Sequence, residues 1–274
     1  QGINHANYDI KNDSDLRFWI NRVQQSPNDV DIQVQWCRAL SIYAREEPNA
    51  ILNSQATDAL LKAMREHQTN VQLQEHGCAL LSMLLSTIAI SSSAVGMKEI
   101  KFIIQVMRQE CSCGTIQGHA CKALCHLACN VDNQSTIVAS GGIDSIVDAL
   151  LHHTADVCVA QQGLRVLRIL TCNINHKVLV GSLGLDEVVM EVLHVHGNNA
   201  NIQMQECGLL WALRCNDGPI KQKLMKSGCM HLVIQAMRAH KGEANLLLQG
   251  FGLLRNMACN PQNVGLLIGE EILG

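Results

Sequence analysis

The residues of this sequence that could do chemistry are its cysteines and histidines. The chain contains 13 cysteines and 12 histidines. Cys121, Cys125 and Cys129 are spaced four residues apart, which would place three thiols on one face of a helix. The dense group around them consists of Cys111, Cys113, His119, Cys121, Cys125, His126 and Cys129. Thiolates and imidazoles of this kind can bind zinc. A cysteine beside a histidine can alternatively act as a nucleophile with its base.

A structural role competes with both chemistries, because the cysteines recur at regular intervals. Cys121 stands in register with Cys37, Cys78 and Cys207, and Cys129 with Cys172, Cys215 and Cys259. Zinc sites favour paired C-x-x-C elements, and the sequence has none. Small, weakly polar cysteines suit closely packed helices. We therefore predict no metal site.

Catalytic sequence motifs are also absent. The chain has no P-loop, no dinucleotide-binding glycine motif, no nucleophile elbow and no H-E-x-x-H. We predict that the protein is not an enzyme and needs no cofactor, with a cysteine-based enzyme as a remote alternative.

The recurring cysteines belong to a repeated segment of ten residues. The four clearest copies are CKALCHLACN at 121–130, LRVLRILTCN at 164–173, CGLLWALRCN at 207–216 and FGLLRNMACN at 251–260. Their starting points lie 43, 43 and 44 residues apart. Segments beginning at Cys37 and Cys78 fit the same frame. A period of this length is typical of helical repeat proteins.

Apolar positions predict that each repeated segment is a helix with one buried face. The fourth position is leucine in every copy: Leu40, Leu81, Leu124, Leu167, Leu210 and Leu254. The third and seventh positions are also apolar and fall on the same face. Four copies end in asparagine, at Asn130, Asn173, Asn216 and Asn260. We expect these asparagines at helix C-termini, since asparagine tolerates left-handed backbone.

A second helix is predicted after the repeated segments. Ile143–Leu151, Leu185–Leu193 and Met230–Met237 are apolar with a helical period, and Gly142, Gly184 and Gly228 precede them. A short helix at Gln134–Ser140 joins the two longer ones. Each repeat therefore contains a short, a medium and a long helix.

Histidines recur where the medium helices are predicted to end. They are His67, His153, His196 and His240. We expect them to cap free carbonyl groups, with a pH-sensitive role as the alternative.

This three-helix plan and its period resemble the armadillo-repeat family. The resemblance implies an all-α, right-handed superhelical solenoid with about five full repeats and partial terminal units. Third helices would end near residues 46, 87, 130, 173, 216 and 260 and line a concave groove. HEAT repeats are similarly long but have two helices, and the glycine before each medium helix favours armadillo. Residues 31–274 are the predicted array. Residues 1–30 are the predicted N-terminal helical cap, because Leu16, Trp19, Ile20 and Val23 follow a helix-start signal.

In the armadillo family, the exposed face of the third helix carries the ligand contacts. The predicted protein-binding groove consists of Gln35, Arg38, His76, His119, Lys122, Gln162, Arg165, Arg168, Gln205, Trp211, Gln249, Arg255 and Asn256. Amides can pair with a peptide backbone, and arginines bind carboxylates bidentately. Trp and Arg often dominate binding energy. The resemblance thus implies a non-catalytic scaffold or adaptor for extended, acidic or amphipathic protein segments.

Two other groups of armadillo-repeat proteins provide alternatives to this hypothesis. Importin-α adaptors clamp basic signals with a Trp followed four residues later by an Asn. Among the corresponding pairs here, only Asn256 matches. A transport adaptor for basic signals is therefore the disfavoured alternative, and acidic ligands resemble those of β-catenin. Compact membrane-tethered adaptors of the apicomplexan organelle-positioning type have a similar length, although no residue selects them.

Composition narrows the remaining classes. The net charge of −3 gives no general attraction for nucleic acid, so we predict no nucleic-acid partner. Residues 77–97 contain no Asp, Glu, Lys or Arg, but their several serines argue against a membrane span. An odd number of widely spread cysteines favours a reducing compartment. We therefore expect a cytoplasmic protein, with the nucleus or a peripheral membrane location as alternatives. Membrane contact would then be indirect, through a missing terminus or a partner.

Overall fold

A computed structural model describes residues 10–87, 97–182, 185–213, 227–261 and 263–265, and within these ranges it contains helices and no β-strand. The helices are α1 (Asp13–Gln25), α2 (Val30–Tyr43), α3 (Pro48–Leu52), α4 (Ala56–Glu66), α5 (Val71–Thr87), α6 (Met97–Gln109), α7 (Gly114–Leu127), α8 (Val131–Ala139), α9 (Gly142–His152), α10 (Val157–Leu170), α11 (Ile174–Ser182), α12 (Leu185–Val195), α13 (Ala200–Leu213), α14 (Cys229–Ala239) and α15 (Ala244–Ala258). The chain divides into two compact units, unit 1 at Gln1–Thr136 and unit 2 at Ile137–Gly274.

Unit 1 is organised around three long helices that pack side by side. Helix α5 contacts α2 on one side and α7 on the other, and α4 and α6 pack against α5 and α7 respectively. Trp36 and Leu40 are fully buried in this layer. The stripe predicted on α1 is also buried, because α1 packs on α2 and α4. The assignment of residues 1–30 as a cap remains a prediction.

Unit 2 repeats the same arrangement. Its long helices α10, α13 and α15 are neighbours, while the medium helices α9, α12 and α14 pack behind them. Leu167 and Leu210 of the fourth-position column are buried, whereas Leu254 is half-buried and its neighbour Leu253 is buried instead. In both units the third helices therefore form one layer and the medium helices another, as the apolar columns predict.

Two of the asparagines at the ends of the repeated segments, Asn130 and Asn173, do not have the predicted role. The third helices α7 and α10 end at Leu127 and Leu170, three residues before Asn130 and Asn173. Asn130 Oδ1 instead accepts a hydrogen bond from the backbone N–H of Asp132 at 2.8 Å, and Asn173 Oδ1 accepts one from Asn175 at 3.0 Å. These side chains cap the N-termini of α8 and α11, because the first N–H groups of a helix have no intrahelical partner. Asn216 lies outside the described residues.

Glycines mark the starts of two medium helices. Gly228 precedes α14 and has a left-handed backbone, with φ of 80°. Before α9, Gly141 has this conformation, with φ of 72°, and Gly142 is the first helical residue. The medium helix predicted at Ile143–Leu151 therefore begins one residue earlier than predicted. Gly184 lies outside the described residues.

A buried glutamine near the start of four third helices ties each one to the preceding helix. Gln74 Nε2 donates hydrogen bonds to the carbonyl oxygens of Met64 and His67, at 2.8 and 3.1 Å. Gln33, Gln117 and Gln203 make the same pair of bonds to carbonyls ten and seven residues earlier. One amide therefore satisfies two helix-terminal carbonyls. The sequence patterns above did not single out this column, although glutamines stand at its positions in both units.

Candidate protein-binding faces

The third-helix face of unit 1 carries five of the predicted binding residues. Arg38 is exposed, while Gln35, His76, His119 and Lys122 are half-buried. They lie on the neighbouring helices α2, α5 and α7. The structure thus places all five on one layer.

The imidazoles of this face lie in a mixed environment. Burial lowers the pKa of His76, with a smaller opposing effect of Glu75 and a further lowering by the nearby Arg38 guanidinium. His119 Nδ1 lies 3.5 Å from the hydroxyl of Ser82 on the neighbouring helix. The lowered pKa favours the neutral His76 ring, which can both donate and accept hydrogen bonds.

The third-helix face of unit 2 carries the other eight. Arg165 and Arg255 are exposed, and Gln162, Arg168, Trp211, Gln249 and Asn256 are half-buried. Gln205 is the exception, with only 6% of its surface exposed. Its Oε1 has no hydrogen-bond partner among the described residues. Gln205 therefore does not line an open surface, which the sequence pattern did not indicate.

Gly208 on α13 is the point where side chains from both neighbouring helices meet. A Cβ atom built on Gly208 would lie 2.9 Å from Arg168 Cδ and 3.1 Å from Arg168 Nη1. The same atom would lie 3.2 Å from Gln249 Oε1 on α15. Arg168 and Gln249 therefore both lie close to the α13 backbone at Gly208, and a Cβ atom there would require them to shift.

Trp211 and Gly252 form an equivalent contact one helix further on. A Cβ atom on Gly252 would lie 2.6 Å from Cε2 of the Trp211 indole and 2.8 Å from its Cδ2. The indole thus lies directly against the backbone of α15 and remains half-exposed. An aromatic side chain held in this way offers a flat apolar surface with a polar N–H edge.

Both contacts pair a large side chain on one helix with a glycine on the next. The fifth position of a repeated segment carries a large side chain at Arg168 and Trp211, and the second position of the next segment is then glycine. In unit 1 the fifth positions are Ser41 and Ser82, and the following second positions are Ala79 and Lys122. In unit 2, a large fifth-position side chain therefore packs where the next helix has glycine. Both columns were visible in the sequence, but their contact was not.

The structure describes the environment of the cysteines that were considered as metal ligands or nucleophiles. No disulfide joins two cysteines there. Burial raises the pKa of Cys78 and Cys207 to about 12, and it raises that of Cys37 as well. These thiols are protonated core groups at neutral pH. Across the same ranges, no three His, Cys, Asp or Glu side chains come together in a way that could hold a metal ion.

The recurring histidines bind carbonyl groups of an earlier turn. The Nε2 atom of His196 lies 2.6 Å from the carbonyl oxygen of Thr154, and that of His240 lies 2.9 Å from the carbonyl oxygen of Gly197. His67 contacts Pro27 in the same way at 2.6 Å. The predicted carbonyl capping is present, but it links successive repeats within a unit instead of closing a histidine's own helix.

In the described part of the chain, no helix is both long and apolar enough to cross a membrane.

Comparisons with known proteins identify the fold. No protein-family model matches the chain, and no curated protein matches its sequence. Two engineered proteins with known crystal structures are similar to it, at TM-scores of 0.67 and 0.70 and 17% sequence identity each. The alignments cover 89% and 90% of this chain and 97% and 99% of those chains.

A designed armadillo repeat protein in complex with the peptide (KR)4 is also similar. Its TM-score is 0.63 at 12% identity, and the alignment covers 87% of this chain and 99% of that one. The predicted all-α solenoid of the armadillo type is thereby confirmed. Identity this low shows the fold alone.

Proposed function

We propose that this protein is a non-catalytic scaffold or adaptor that binds extended acidic or amphipathic segments of other proteins on its third-helix faces. The observation that carries the proposal is that the arginines on these faces have no carboxylate partner in the described part of the chain. Arg38, Arg165, Arg168 and Arg255 form no ion pair with any described residue. Exposed guanidinium groups without carboxylates bind acidic side chains with paired hydrogen bonds.

Amide side chains support the same proposal. Gln35 on unit 1, and Gln162 and Gln249 on unit 2, are half-buried on the faces that carry the arginines. Such groups can donate to and accept from the backbone of an extended segment. The designed armadillo relative is itself in complex with a peptide, although that peptide is basic.

A peptide selection with defined variants tests the proposal. Random peptides displayed on phage are selected on the immobilised protein, and their affinities are measured with the wild type and the Arg165→Glu/Arg168→Glu variant. We expect selected peptides to be rich in Asp and Glu and to lose about tenfold or more in affinity for the variant. The matched control is Lys101→Glu/Lys241→Glu, which makes the same change in net charge at exposed positions outside the third-helix faces.

Two outcomes would overturn the proposal. Selected peptides that are rich in Lys and Arg would favour the importin-α-like alternative. Equal loss of affinity in both double variants would show that only net charge matters. Circular dichroism of all variants confirms that each is folded.

A further inference from the structure

The fifth positions of the third helices in unit 2 present a specific order of side chains. Arg168 lies on α10, Trp211 on α13 and Arg255 on α15, and these helices are consecutive neighbours in the layer. An aromatic side chain therefore lies at the central position, with a guanidinium at the corresponding position on each side.

Two of these side chains lie against a glycine of the neighbouring helix. Arg168 lies across Gly208, and Trp211 lies across Gly252, as the short distances to a Cβ atom on each glycine show. Both glycines are inside helices, where glycine is less favourable than alanine. The sequence thus carries helix-weakening residues at the two points where the large side chains need space. The rigid indole packed on the α15 backbone at Gly252 is positioned before a ligand arrives, which lowers the entropic cost of binding.

The chemistry of the three positions selects one kind of ligand. Trp211 is half-exposed and offers an apolar ring face. A cation could also stack on an indole, but the arginines on both neighbouring helices disfavour a second positive charge there. Neither arginine has a carboxylate partner among the described residues. The complementary ligand is therefore apolar at its centre and negative on both sides.

We propose that unit 2 binds an extended protein segment in which one apolar side chain lies on Trp211 and flanking acidic side chains pair with Arg168 and Arg255. This inference rests on the proposed function and specifies its ligand. Packed helices lie about 8–10 Å apart, and an extended chain advances about 3.3 Å per residue. The acidic residues are accordingly two or three positions from the apolar one.

Fluorescein-labelled probe peptides test the order directly. The first probe has one leucine with glutamates three residues before and after it, in a Ser/Asn/Gly background. The second has the same composition with the leucine moved to one end, the third has serine in place of leucine, and the fourth has lysines in place of glutamates. A parallel set has the glutamates two residues from the leucine. Binding to the full chain is measured by fluorescence polarisation.

We expect a centred-leucine probe to bind about tenfold more tightly than the displaced-leucine and serine probes. Trp211→Ala should remove this preference while leaving the weak serine probe within about twofold. Phe18→Ala, which removes an aromatic side chain exposed on α1, is the control and should change nothing. Gly252→Ala should also weaken the centred probe, because the indole must move, whereas Gly242→Ala meets no atom within 4 Å and should not.

The two proposals fail in different ways. If all glutamate probes bind alike and lose affinity only in Arg165→Glu/Arg168→Glu, the apolar–acidic order is overturned and the acidic-ligand scaffold stands. If the lysine probe binds as tightly as the glutamate probes, both are overturned. The wild-type comparison between the centred-leucine and displaced-leucine probes decides the order even if a variant does not fold.

Discussion

The side chain of Gln33 joins the first two helices, because its Nε2 donates to the carbonyl oxygen of Val23 at 3.0 Å. A second bond of 3.0 Å reaches the carbonyl oxygen of Ser26. Gln33 is on α2, and both acceptors belong to the end of α1. The same device recurs at Gln74, Gln117 and Gln203. The glutamine column is therefore a structural feature of the repeat and distinct from the predicted groove column two residues further on, which holds Gln35, His76, His119 and Gln205.

We predict that Gln33→Ala lowers the free energy of unfolding by about 1–3 kcal/mol, since it leaves two helix-terminal carbonyls without a partner. Urea denaturation followed by circular dichroism measures the change. Gln35→Ala is the control, because Gln35 lies on the same helix, half-buried on the third-helix face. A loss for Gln35→Ala as large as that for Gln33→Ala would contradict the assignment.

Glu206 makes the stability of this protein depend on pH. Its side chain is 0% exposed, and neither carboxylate oxygen has a hydrogen-bond partner among the described residues. Burial raises the pKa of Glu206 well above its ordinary value. The native state then keeps a proton that the unfolded chain releases. The stabilisation is complete below the ordinary glutamate pKa and is lost as pH rises through the raised pKa.

Glu206→Gln should therefore remove a decline in the free energy of unfolding that wild type shows above the ordinary glutamate pKa. Each unit by which the pKa is raised corresponds to about 1.4 kcal/mol. Urea midpoints measured from mildly acidic to mildly alkaline pH give the two profiles. Glu187→Gln, at an exposed position on α12, is the control and should keep the wild-type slope. Parallel profiles for wild type and Glu206→Gln would show that Glu206 ionises freely in the folded protein.

His196 should contribute to stability through its contact with an earlier repeat. Its ring is buried, and its Nε2 must carry the hydrogen that the Thr154 carbonyl accepts. His196→Ala removes this bond and the buried ring, so we expect a loss of about 1–3 kcal/mol in thermal or urea unfolding. His194→Ala, two residues earlier and exposed, should be nearly neutral. Equal effects would mean that the hydrogen bond adds nothing to stability.

The reactivity of each cysteine should depend on whether its side chain is exposed or buried. Cys129, Cys172 and Cys259 are exposed, while Cys37, Cys78 and Cys207 are buried. Because only thiolates react, we expect iodoacetamide to label the exposed group in the folded protein and the buried group only after urea is added. Mass spectrometry of tryptic peptides measures each site. One thiol reacting far faster than all others would revive the cysteine-based enzyme.

Much of the fold is readable from the sequence because its signals are local and repeated. Leucines at a fixed position of each segment require a buried helical face, and the interval of 43 or 44 residues requires repeated units. The predicted positions of the helix ends were less accurate. Asn130 could close one helix or open the next, and only the position of the Asp132 N–H decides between these roles.

The sequence by itself also determined which residue types are available for binding, namely the arginine, glutamine and tryptophan columns. Tertiary structure decided how they are used. Glu206 occupies a column that holds Trp36, Gly77, Ala120, Gly163 and Gly250 in the other segments, so the column did not indicate that a carboxylate would be buried there. Arg168 reaches Gly208, and Trp211 reaches Gly252, about 40 residues away along the chain. Contacts between residues so far apart depend on how closely two helices approach, and no local pattern of a single chain encodes that distance.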